Sequence, residues 1–265
     1  MKVVILAAGK GTRLLPLTEH TPKPLLKIGG IATIDRTLRS LPKSIDEIII
    51  IVSHLKAKII SHSGNISNGR PITYIEQTGI NGTFGALLCA REKFTPKERF
   101  LVLNGDDIYN KEELEEHLLH LRAFGIQHAK MPGYDSIHID DNSHVTGFHP
   151  LTEKEKKDGA LVSIGSYVID THIFDSPGII IQNGEYGLPH TILAQRETFP
   201  ITAITTKKWM PINSFEDLEK AKNNTYFSHL ANMPDDNNLF PEDSFIASSP
   251  NETLPPKSEN AEKSI

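Results

Sequence analysis

Short apolar runs alternate with amphipathic stretches through the first part of the chain. Residues 3–6 are continuously apolar and β-branched at their start, as expected for a strand buried on both faces of a parallel sheet. Similar apolar runs follow later, at 48–52, 72–75 and 100–103. Apolar residues at helical spacing lie between these runs, in segments 33–41, 55–63 and 84–94. The pattern therefore predicts strands that alternate with helices.

This alternation predicts an α/β fold with three layers. Repeated strand, crossover and strand units imply a Rossmann-like, mainly parallel sheet with helices on both of its faces. Ligands of such folds bind beyond the carboxyl ends of the strands. We therefore expect the functional residues in the loops that follow the strands.

The composition of the chain changes near its C-terminus. Residues 223–265 are rich in Asn, Ser, Pro and acidic residues, and such a segment cannot bury enough apolar surface to order itself. We therefore predict one folded domain over 1–222 and a polar, disordered C-terminal tail over 223–265. A few apolar side chains of the tail could dock on this or another subunit, which leaves a homo-oligomer open: Leu239, Phe240, Phe245 and Ile246.

The overall composition narrows the class of protein. Of the 265 residues, 38% are hydrophobic and 23% are charged, as in soluble globular domains. The formal net charge of −5 argues against general affinity for nucleic acid or for an anionic membrane. The single cysteine excludes an internal disulfide, no apolar run approaches the ~20 residues that span a bilayer, and no signal peptide precedes the first strand. We therefore expect a cytoplasmic protein.

A glycine loop follows the first strand. Gly9 and Gly11 let the backbone turn sharply, so that successive N–H groups can point at one anion. Lys10, Arg13 and Lys23 make this segment basic in a chain that is acidic overall, and prolines stiffen it. This combination predicts a binding site for a triphosphate.

Two common phosphate-binding motifs do not fit this loop. The dinucleotide fingerprint needs a third glycine at the position of Leu14, and an acid after the next strand, where the chain has Ser53 and His54. A Walker A loop needs a four-residue gap before a GK pair that Ser or Thr follows, and residues 9–12 have neither. An NAD-dependent oxidoreductase is therefore a weaker alternative, which NADH binding would revive.

Residues 6–30, LAAGKGTRLLPLTEHTPKPLLKIGG, resemble the opening signature of the sugar-1-phosphate nucleotidyltransferases, LAAGxGTRLxPLTxxxPKPLLxIGG. The resemblance implies the Rossmann-like fold of the nucleotidyltransferase type. It also implies the family's reaction, in which a sugar 1-phosphate and a nucleoside triphosphate give a nucleotide sugar and pyrophosphate. Arg13 would contact the phosphates and Lys23 would lie near the α-phosphate under attack, so these are the predicted catalytic residues. The loop would bind the triphosphate through Leu6, Ala8, Gly9, Gly11 and Thr12.

A second segment resembles the family's nucleobase motif, a glutamine followed by a Gly-Thr pair. Gln77, Gly82 and Thr83 keep this spacing and are therefore predicted to bind the nucleotide. A glutamine amide can both donate and accept, which suits the edge of uracil or thymine. Guanine and cytosine also offer both kinds of group, so the base stays open.

The predicted cofactor is Mg²⁺. Asp106, at the end of the fourth predicted strand, resembles the metal-binding aspartate of the family. Many relatives place a second aspartate where this chain has Pro211, so we predict that Asn213, whose amide oxygen can bind Mg²⁺, is the second ligand. Asn213 lies just before a predicted helix that begins with Ser214 as its N-cap.

The motifs that bind the acceptor in this family have drifted here. Relatives carry Glu-Lys-Pro where residues 148–150 read Phe-His-Pro, and the family's Asn-x-Gly appears at 163–165 as Ser-Ile-Gly. Gly165 is still predicted to contact substrate by resemblance. A motif of an acid followed by Thr-Asp becomes 185–190, in which Glu185 is predicted to contact a sugar hydroxyl. The acceptor could therefore be unusual, or the activity weakened.

Besides the oxidoreductase, two alternative functions stay open. A phosphocholine cytidylyltransferase would share the donor chemistry but would need an aromatic or acidic box around the trimethylammonium group. The chain offers four aromatic residues for such a box: Tyr109, Tyr167, Tyr186 and Trp209. The drifted acceptor motifs favour the second alternative, a nucleotide-binding homologue without catalysis.

The remaining histidines and the cysteine carry weaker signals. A transition-metal site built from residues in 138–144 is disfavoured, because their side chains would point to different faces across a tight turn. His117 and His120 are predicted on the solvated face of a charged helix, and Cys89 in the core stripe of the helix over 84–94.

Overall fold

A computed structural model describes residues 1–79 and 81–224. Its strands, in chain order, are β1 (Lys2–Ala7), β2 (Lys27–Ile28), β3 (Ile31–Ala32), β4 (Glu47–Val52), β5 (Ile66–Ser67), β6 (Arg70–Glu76), β7 (Arg99–Asn104), β8 (Asp107–Ile108), β9 (Ala123–Ala129), β10 (Asp135–Ile139), β11 (Val145–Pro150), β12 (Ala160–Asp170), β13 (Thr202–Thr205) and β14 (Met210–Pro211). Its α-helices are α1 (Leu17–His20), α2 (Thr33–Arg39), α3 (Lys56–Ser63), α4 (Gly82–Leu88), α5 (Lys111–Leu119), α6 (Glu153–Asp158), α7 (Leu188–Ala194) and α8 (Phe215–Asn223).

The centre of the fold is an eight-stranded sheet in the order β13-β9-β12-β7-β1-β4-β6-β5. Strand β1 pairs in parallel with both β4 and β7, β4 pairs in parallel with β6, and β13 pairs in parallel with β9. Strand β12 runs antiparallel between β7 and β9, and β5 is antiparallel to β6. The predicted mainly parallel sheet is confirmed, with β1 at its middle.

The apolar runs fill both faces of this sheet. Val3 and Ile5 of β1 pack with α2 and Ile48 on one face, whereas Val4 packs with Phe84 of α4 on the other. All five of these side chains are fully buried. A run that is apolar at every position therefore gives a strand covered on both faces, as the three-layer prediction requires.

Two local predictions are wrong. Helix α4 ends at Leu88 rather than continuing to Phe94, and a 3₁₀ turn follows at Arg91–Lys93. Cys89 is the C-cap of α4, and its side chain is half-buried rather than part of the core. His117 of α5 is fully buried rather than solvated. Its ring packs over Gly125 of β9, where a Cβ atom would come within 2.7 Å of Nε2, and its Nδ1 lies 2.7 Å from the carbonyl oxygen of Glu113.

The predicted tail over 223–265 lies outside the described residues, apart from Asn223 and Asn224 at the end of α8. The apolar side chains proposed to dock on a subunit lie in that part too. Within the described ranges, none of the helices combines the length and the apolar character that a membrane crossing needs.

Candidate active site

A cleft of about 830 Å³ opens at the carboxyl ends of β1, β4, β6 and β7. Every residue that was predicted for the nucleotidyltransferase site lines this cleft. They are Leu6, Ala8, Gly9, Gly11, Thr12, Arg13, Lys23, Gln77, Gly82, Thr83, Asp106, Gly165, Glu185 and Asn213. The loops that follow the parallel strands therefore meet at one edge of the sheet, as this topology requires.

The glycine loop leaves β1 at Ala7 and is anchored by short hydrogen bonds. The carbonyl oxygen of Gly11 accepts from the N–H of Leu14 at 2.9 Å and from the hydroxyl of Thr18 at 2.8 Å. Leu14 is buried in a small apolar cluster, whereas the neighbouring Arg13 is exposed on the cleft side. The backbone is held in place while the guanidinium group is available to a ligand.

Lys23 connects the two predicted metal ligands. Its ammonium group forms an ion pair with the Asp106 carboxylate and donates to Oδ1 of Asn213 at 2.8 Å. The Lys23 side chain is only 9% exposed, whereas that of Asp106 is 28% exposed and faces the cleft. Lys23 and Asn213, which are 190 positions apart in the chain, are therefore in direct contact in the cleft.

Short local elements bring Asn213 to this point. Strand β14 pairs with β8, with Pro211 opposite Asp107, so the segment before α8 lies beside the loop that carries Asp106. The N–H of Asn213 donates to Asp217 at 2.9 Å, and Ser214 caps α8 by accepting from the N–H of Asp217. The predicted N-cap is confirmed, and its helix also fixes the backbone of the residue predicted to bind Mg²⁺.

The amide of Asn213 is oriented by a tyrosine. Its Nδ2 donates to the hydroxyl of Tyr134 at 2.7 Å, which turns Oδ1 toward Lys23. A carboxylate oxygen of Asp106 and the amide oxygen of Asn213 thus both contact the ammonium group of Lys23. Hard oxygen ligands of this kind are those that Mg²⁺ prefers, together with waters and phosphate oxygens. Asp106 and Asn213 therefore supply oxygen donors of the kind that would fit a Mg²⁺ ion, beside the Lys23 ammonium group.

Asp107 lies beneath these groups and is almost fully buried. Burial, and then the neighbouring charge of Asp106, raise the pKa of Asp107 to about 7. Its carboxylate accepts from Nδ2 of Asn104 at 3.2 Å. Asn104 in turn lies directly over Gly165, where a Cβ atom would come within 2.0 Å of that same Nδ2. Gly165 is thus required by the close approach of Asn104.

The predicted nucleobase motif links α4 to the opposite wall of the cleft. Nε2 of Gln77 donates to the carbonyl oxygen of Gly82 at 3.1 Å. Gly82 has a φ of 88°, and a Cβ atom there would come within 2.5 Å of the Tyr186 carbonyl oxygen. The hydroxyl of Thr83 accepts from the N–H of Leu188 at 2.9 Å. The Thr83–Leu188 hydrogen bond joins α4 to the opposite wall, and the Gln77–Gly82 hydrogen bond holds the motif together.

The segments that replace the family's acceptor motifs contribute some side chains to the cleft and turn others away from it. Phe148 lines the cleft, whereas the next residue, His149, points away from it and pairs with Glu155 at 3.1 Å. Ser163 also lines the cleft, and its hydroxyl lies 2.8 Å from that of Tyr167. The side chain of Glu185 is exposed at the cleft's rim.

The aromatic box suggested for a choline group does not assemble from its four residues. Tyr167 lines the cleft, but Tyr109 and Trp209 are buried in the core cluster behind the sheet. Tyr186 packs against the opposite core cluster.

The histidine segment 138–144 does not form a metal site. His144 pairs with Asp140 at 3.6 Å, and no group of three or more metal-binding side chains forms in the described parts of the chain.

Sequence reasoning missed several cleft residues. Asn104, Tyr134, Asp135 and His190 all line the cleft, yet none was predicted to contact substrate, although His190 ends the segment 185–190 that resembles an acceptor motif. Asn104 and Tyr134 could have been found from their positions, since one ends a parallel strand and the other directly precedes the β10–β11 hairpin. The pairing of Asp135 with His190 depends on a contact between separate elements and leaves no signal in the sequence.

Comparison with known proteins identifies the family. The model of the nucleotidyl transferase family matches residues 2–186, which is more than half of the chain. The chain belongs to the nucleotidyl transferase family. The resemblance of residues 6–30 to sugar-1-phosphate nucleotidyltransferases is therefore confirmed.

Two relatives show how far the similarity extends along the chain. The bifunctional protein GlmU of Methanocaldococcus jannaschii is 34% identical over 176 residues, which cover 66% of this chain and 41% of that protein. The chain thus spans well under half the length of this relative. UTP–glucose-1-phosphate uridylyltransferase AglF of Haloferax volcanii is 29% identical over 237 residues, which cover 84% of this chain and 95% of that protein.

Solved structures of UDP-glucose pyrophosphorylase share the fold. The complex with UDP-glucose superimposes with a TM-score of 0.72 at 19% identity, over 85% of this chain and 98% of that one. The apo form gives a TM-score of 0.70 at 18% identity, over 86% of this chain and 98% of that one. At these identities the likeness concerns the architecture, and it confirms the nucleotidyltransferase type of the α/β fold.

Proposed function

We propose that this protein is a Mg²⁺-dependent nucleotidyltransferase that joins a sugar 1-phosphate to a nucleoside triphosphate. A phosphate oxygen of the sugar 1-phosphate attacks the α-phosphorus in line. The bond from the α-phosphorus to the oxygen that bridges to the β-phosphate breaks, and its electron pair leaves with pyrophosphate. The products are a nucleotide sugar and pyrophosphate, so atoms and charges balance without a protein nucleophile.

The convergence of Lys23, Asp106 and Asn213 carries this proposal. The attacking group is already an anion, so catalysis consists of positioning the two phosphates and stabilising charge. Lys23 offers a nearly buried ammonium group at the end of the central strand pair, beside the glycine loop. In the proposed reaction it stabilises the charge that develops at the α-phosphate, while Arg13 holds the leaving pyrophosphate.

Asp106 and Asn213 are the proposed ligands of Mg²⁺. When bound there, the ion would neutralise charge on the donor and acceptor phosphates. Around that site, Tyr134 orients the amide of Asn213 and Lys23 partly neutralises Asp106.

The nucleotide side of the cleft supports a uridine or thymidine donor. Gln77 lines this side of the cleft, where its Nε2 donates to the Gly82 carbonyl, and a glutamine amide is a group that can both donate to and accept from the edge of uracil or thymine. The Haloferax volcanii relative is a UTP–glucose-1-phosphate uridylyltransferase, so UTP is the first donor to test. Leu6, Ala8, Gly9, Gly11 and Thr12 are proposed to surround the nucleotide, and Thr83 to support it.

The acceptor side supports a sugar 1-phosphate rather than phosphocholine. Gly165 and Glu185 lie on this side of the cleft, whereas three of the four aromatic residues suggested for a choline box do not line it.

The single cysteine in the chain is compatible with a reducing, cytoplasmic location.

The proposal is tested by pyrophosphate release. UTP, dTTP, GTP, CTP and ATP are each incubated with Mg²⁺ and a pool of sugar 1-phosphates, and separately with phosphocholine. Release from UTP or dTTP with the sugar pool, abolished in Asp106→Ala and by excess chelator, is the expected result. Nucleotide binding without release from any acceptor would instead favour the non-catalytic homologue.

A further inference from the structure

The acceptor side of the cleft contains a polar pair that the proposed chemistry does not use. Asp135 begins β10, and His190 lies in the first turn of α7. Both line the cleft, with side chains that are 42% and 26% exposed. Nε2 of His190 lies 3.9 Å from Oδ2 of Asp135, which is too far for a direct hydrogen bond. The two groups face each other across a gap.

The histidine ring is held in one orientation. It packs edge-on against the ring of Phe148, with centroids 4.3 Å apart. Its Nδ1 lies against the backbone of Gly187. A Cβ atom at position 187 would come within 2.8 Å of this nitrogen, so only glycine leaves room for the ring. The cleft-facing edge of the ring is therefore Nε2.

The tautomer follows from the buried nitrogen. Nδ1 of His190 is buried and has no hydrogen-bond partner among the described residues. A buried N–H without a partner is rarer in proteins than a buried acceptor without one, so the proton belongs on Nε2. Burial also lowers the pKa of His190, which keeps the ring neutral near pH 7. The gap is thus bounded by an N–H donor and by a carboxylate acceptor.

A hydroxyl group satisfies both sides of such a gap. It can accept a hydrogen bond from the Nε2–H of His190 and at the same time donate one to the carboxylate of Asp135. An ammonium group has no acceptor for the N–H, and a methyl group satisfies neither side. Phe148 and Ile137 line the same part of the cleft and offer apolar surface to the C–H face of a sugar ring.

We propose that Asp135 and His190 form a hydroxyl clamp that selects a neutral, hydroxylated sugar as the acceptor. The inference rests on the proposed function, and it deepens that function by naming the residues that determine specificity. Asp135 supplies the carboxylate that is missing at position 148, from the neighbouring strand of the same hairpin. The clamp therefore accounts for the drifted acceptor motifs without a loss of activity.

The test measures binding, so it does not depend on turnover. Isothermal titration compares UDP-glucose with UDP and dTDP-glucose with dTDP, and uses the pair whose diphosphate binds more tightly to the wild type. The variants are Asp135→Ala and His190→Phe, the second of which keeps an aromatic ring against Phe148. Asp135→Ala is expected to weaken binding of the nucleotide sugar by about 10- to 100-fold, the range for a lost hydrogen bond to a charged group, and His190→Phe, which removes a neutral donor, by about 3- to 10-fold. Binding of the nucleoside diphosphate should change by less than about 2-fold.

Two controls separate the clamp from a general effect. Asp141→Ala removes an exposed carboxylate from the turn of the same hairpin and should leave both affinities unchanged. Asp135→Asn keeps an acceptor oxygen without the charge and should recover part of the affinity for the nucleotide sugar.

The outcomes for the clamp and for the proposed function are distinct. Equal losses for the nucleotide sugar and the diphosphate, no loss in either variant, or no gain from the glucose group in the wild type would each overturn the clamp. Pyrophosphate release measured in parallel would then still report on the proposed function. Conversely, glucose-dependent binding that needs Asp135, without any pyrophosphate release, would support the clamp and contradict catalysis.

Discussion

Removing the charge of Lys23 while keeping its length is the most informative single change. Lys23→Met retains an unbranched chain for the buried stem and deletes the ammonium group that contacts Asp106 and Asn213. Asp106 is 28% exposed, so its carboxylate can regain water in the variant. We therefore expect the fold to persist and the loss to fall on catalysis.

The magnitude follows from the geometry of the site. Two unit charges about 4 Å apart interact with roughly 4 kcal/mol at an effective dielectric constant of ~20, before desolvation is subtracted. The Lys23 side chain is 9% exposed, so water weakens its contact with a phosphate only slightly. A loss of about 3 to 4 kcal/mol in transition-state stabilisation corresponds to a kcat lower by a factor on the order of 10² to 10³.

Steady-state pyrophosphate release with UTP and a sugar 1-phosphate gives kcat and KM for each variant. Lys27→Met is the matched control, because Lys27 is exposed on β2 and lies away from the cleft-lining residues. The melting temperature of each variant reports on the fold. A Lys23→Met enzyme with kcat within about threefold of the wild type would refute the role assigned to this ammonium group.

Three further changes test the packing around the site and the rest of the fold. Gly165→Ala should reduce stability by about 2 kcal/mol and impair activity, because the new Cβ meets Asn104 within 2.0 Å at a φ of 68°. Asp170→Asn should destabilise by about 3 kcal/mol in urea titrations, because it leaves the buried Arg122 guanidinium, 3.6 Å away, without its counter-charge. Burial lowers the pKa of His117 in the folded state below the 6.5 expected for an unfolded chain. Below pH 6.5 the unfolded state therefore binds more protons, and stability should fall as the pH drops through this value.

Each of these has a matched comparison. Gly147→Ala meets no atom within 4 Å and should be tolerated, so equal effects at the two glycines would contradict the steric argument. Asp175→Asn breaks an exposed pair with Arg91 at 3.7 Å and should change stability by less than about 1 kcal/mol. His117→Gln should flatten the loss of stability between pH 7 and 5.5, and an unchanged pH profile would exclude His117 as its source.

The sequence predicted the parts of this protein that depend on local pattern. The buried strands were found because every position is apolar, and the glycine loop because a strand, two glycines and basic residues occur in one short segment. The convergence of Asp106 and Asn213 on one site was expected from family motifs. The cleft brings all of these residues together, while their roles in the reaction stay predictions.

The rest depends on contacts that no local pattern encodes. His117 was placed in water because its helix is charged, yet Gly125 of the neighbouring strand makes room for its ring. Helix α4 ends at Leu88 and a 3₁₀ turn follows at Arg91–Lys93, although the apolar stripe continues in the sequence. The pair of Asp135 and His190 forms only where β10 meets α7. Residues that act through partners on other elements are therefore those that sequence reasoning missed.

The central claim is attack by the acceptor phosphate on the α-phosphorus of the donor. A sugar 1-phosphate labelled with ¹⁸O in its nonbridging phosphate oxygens, turned over with unlabelled UTP and Mg²⁺, tests this directly by mass spectrometry. The account predicts a nucleotide sugar that carries all of the label and pyrophosphate that carries none, with neither product formed by Asp106→Ala. Label in the pyrophosphate, or pyrophosphate without a labelled nucleotide sugar, would contradict it.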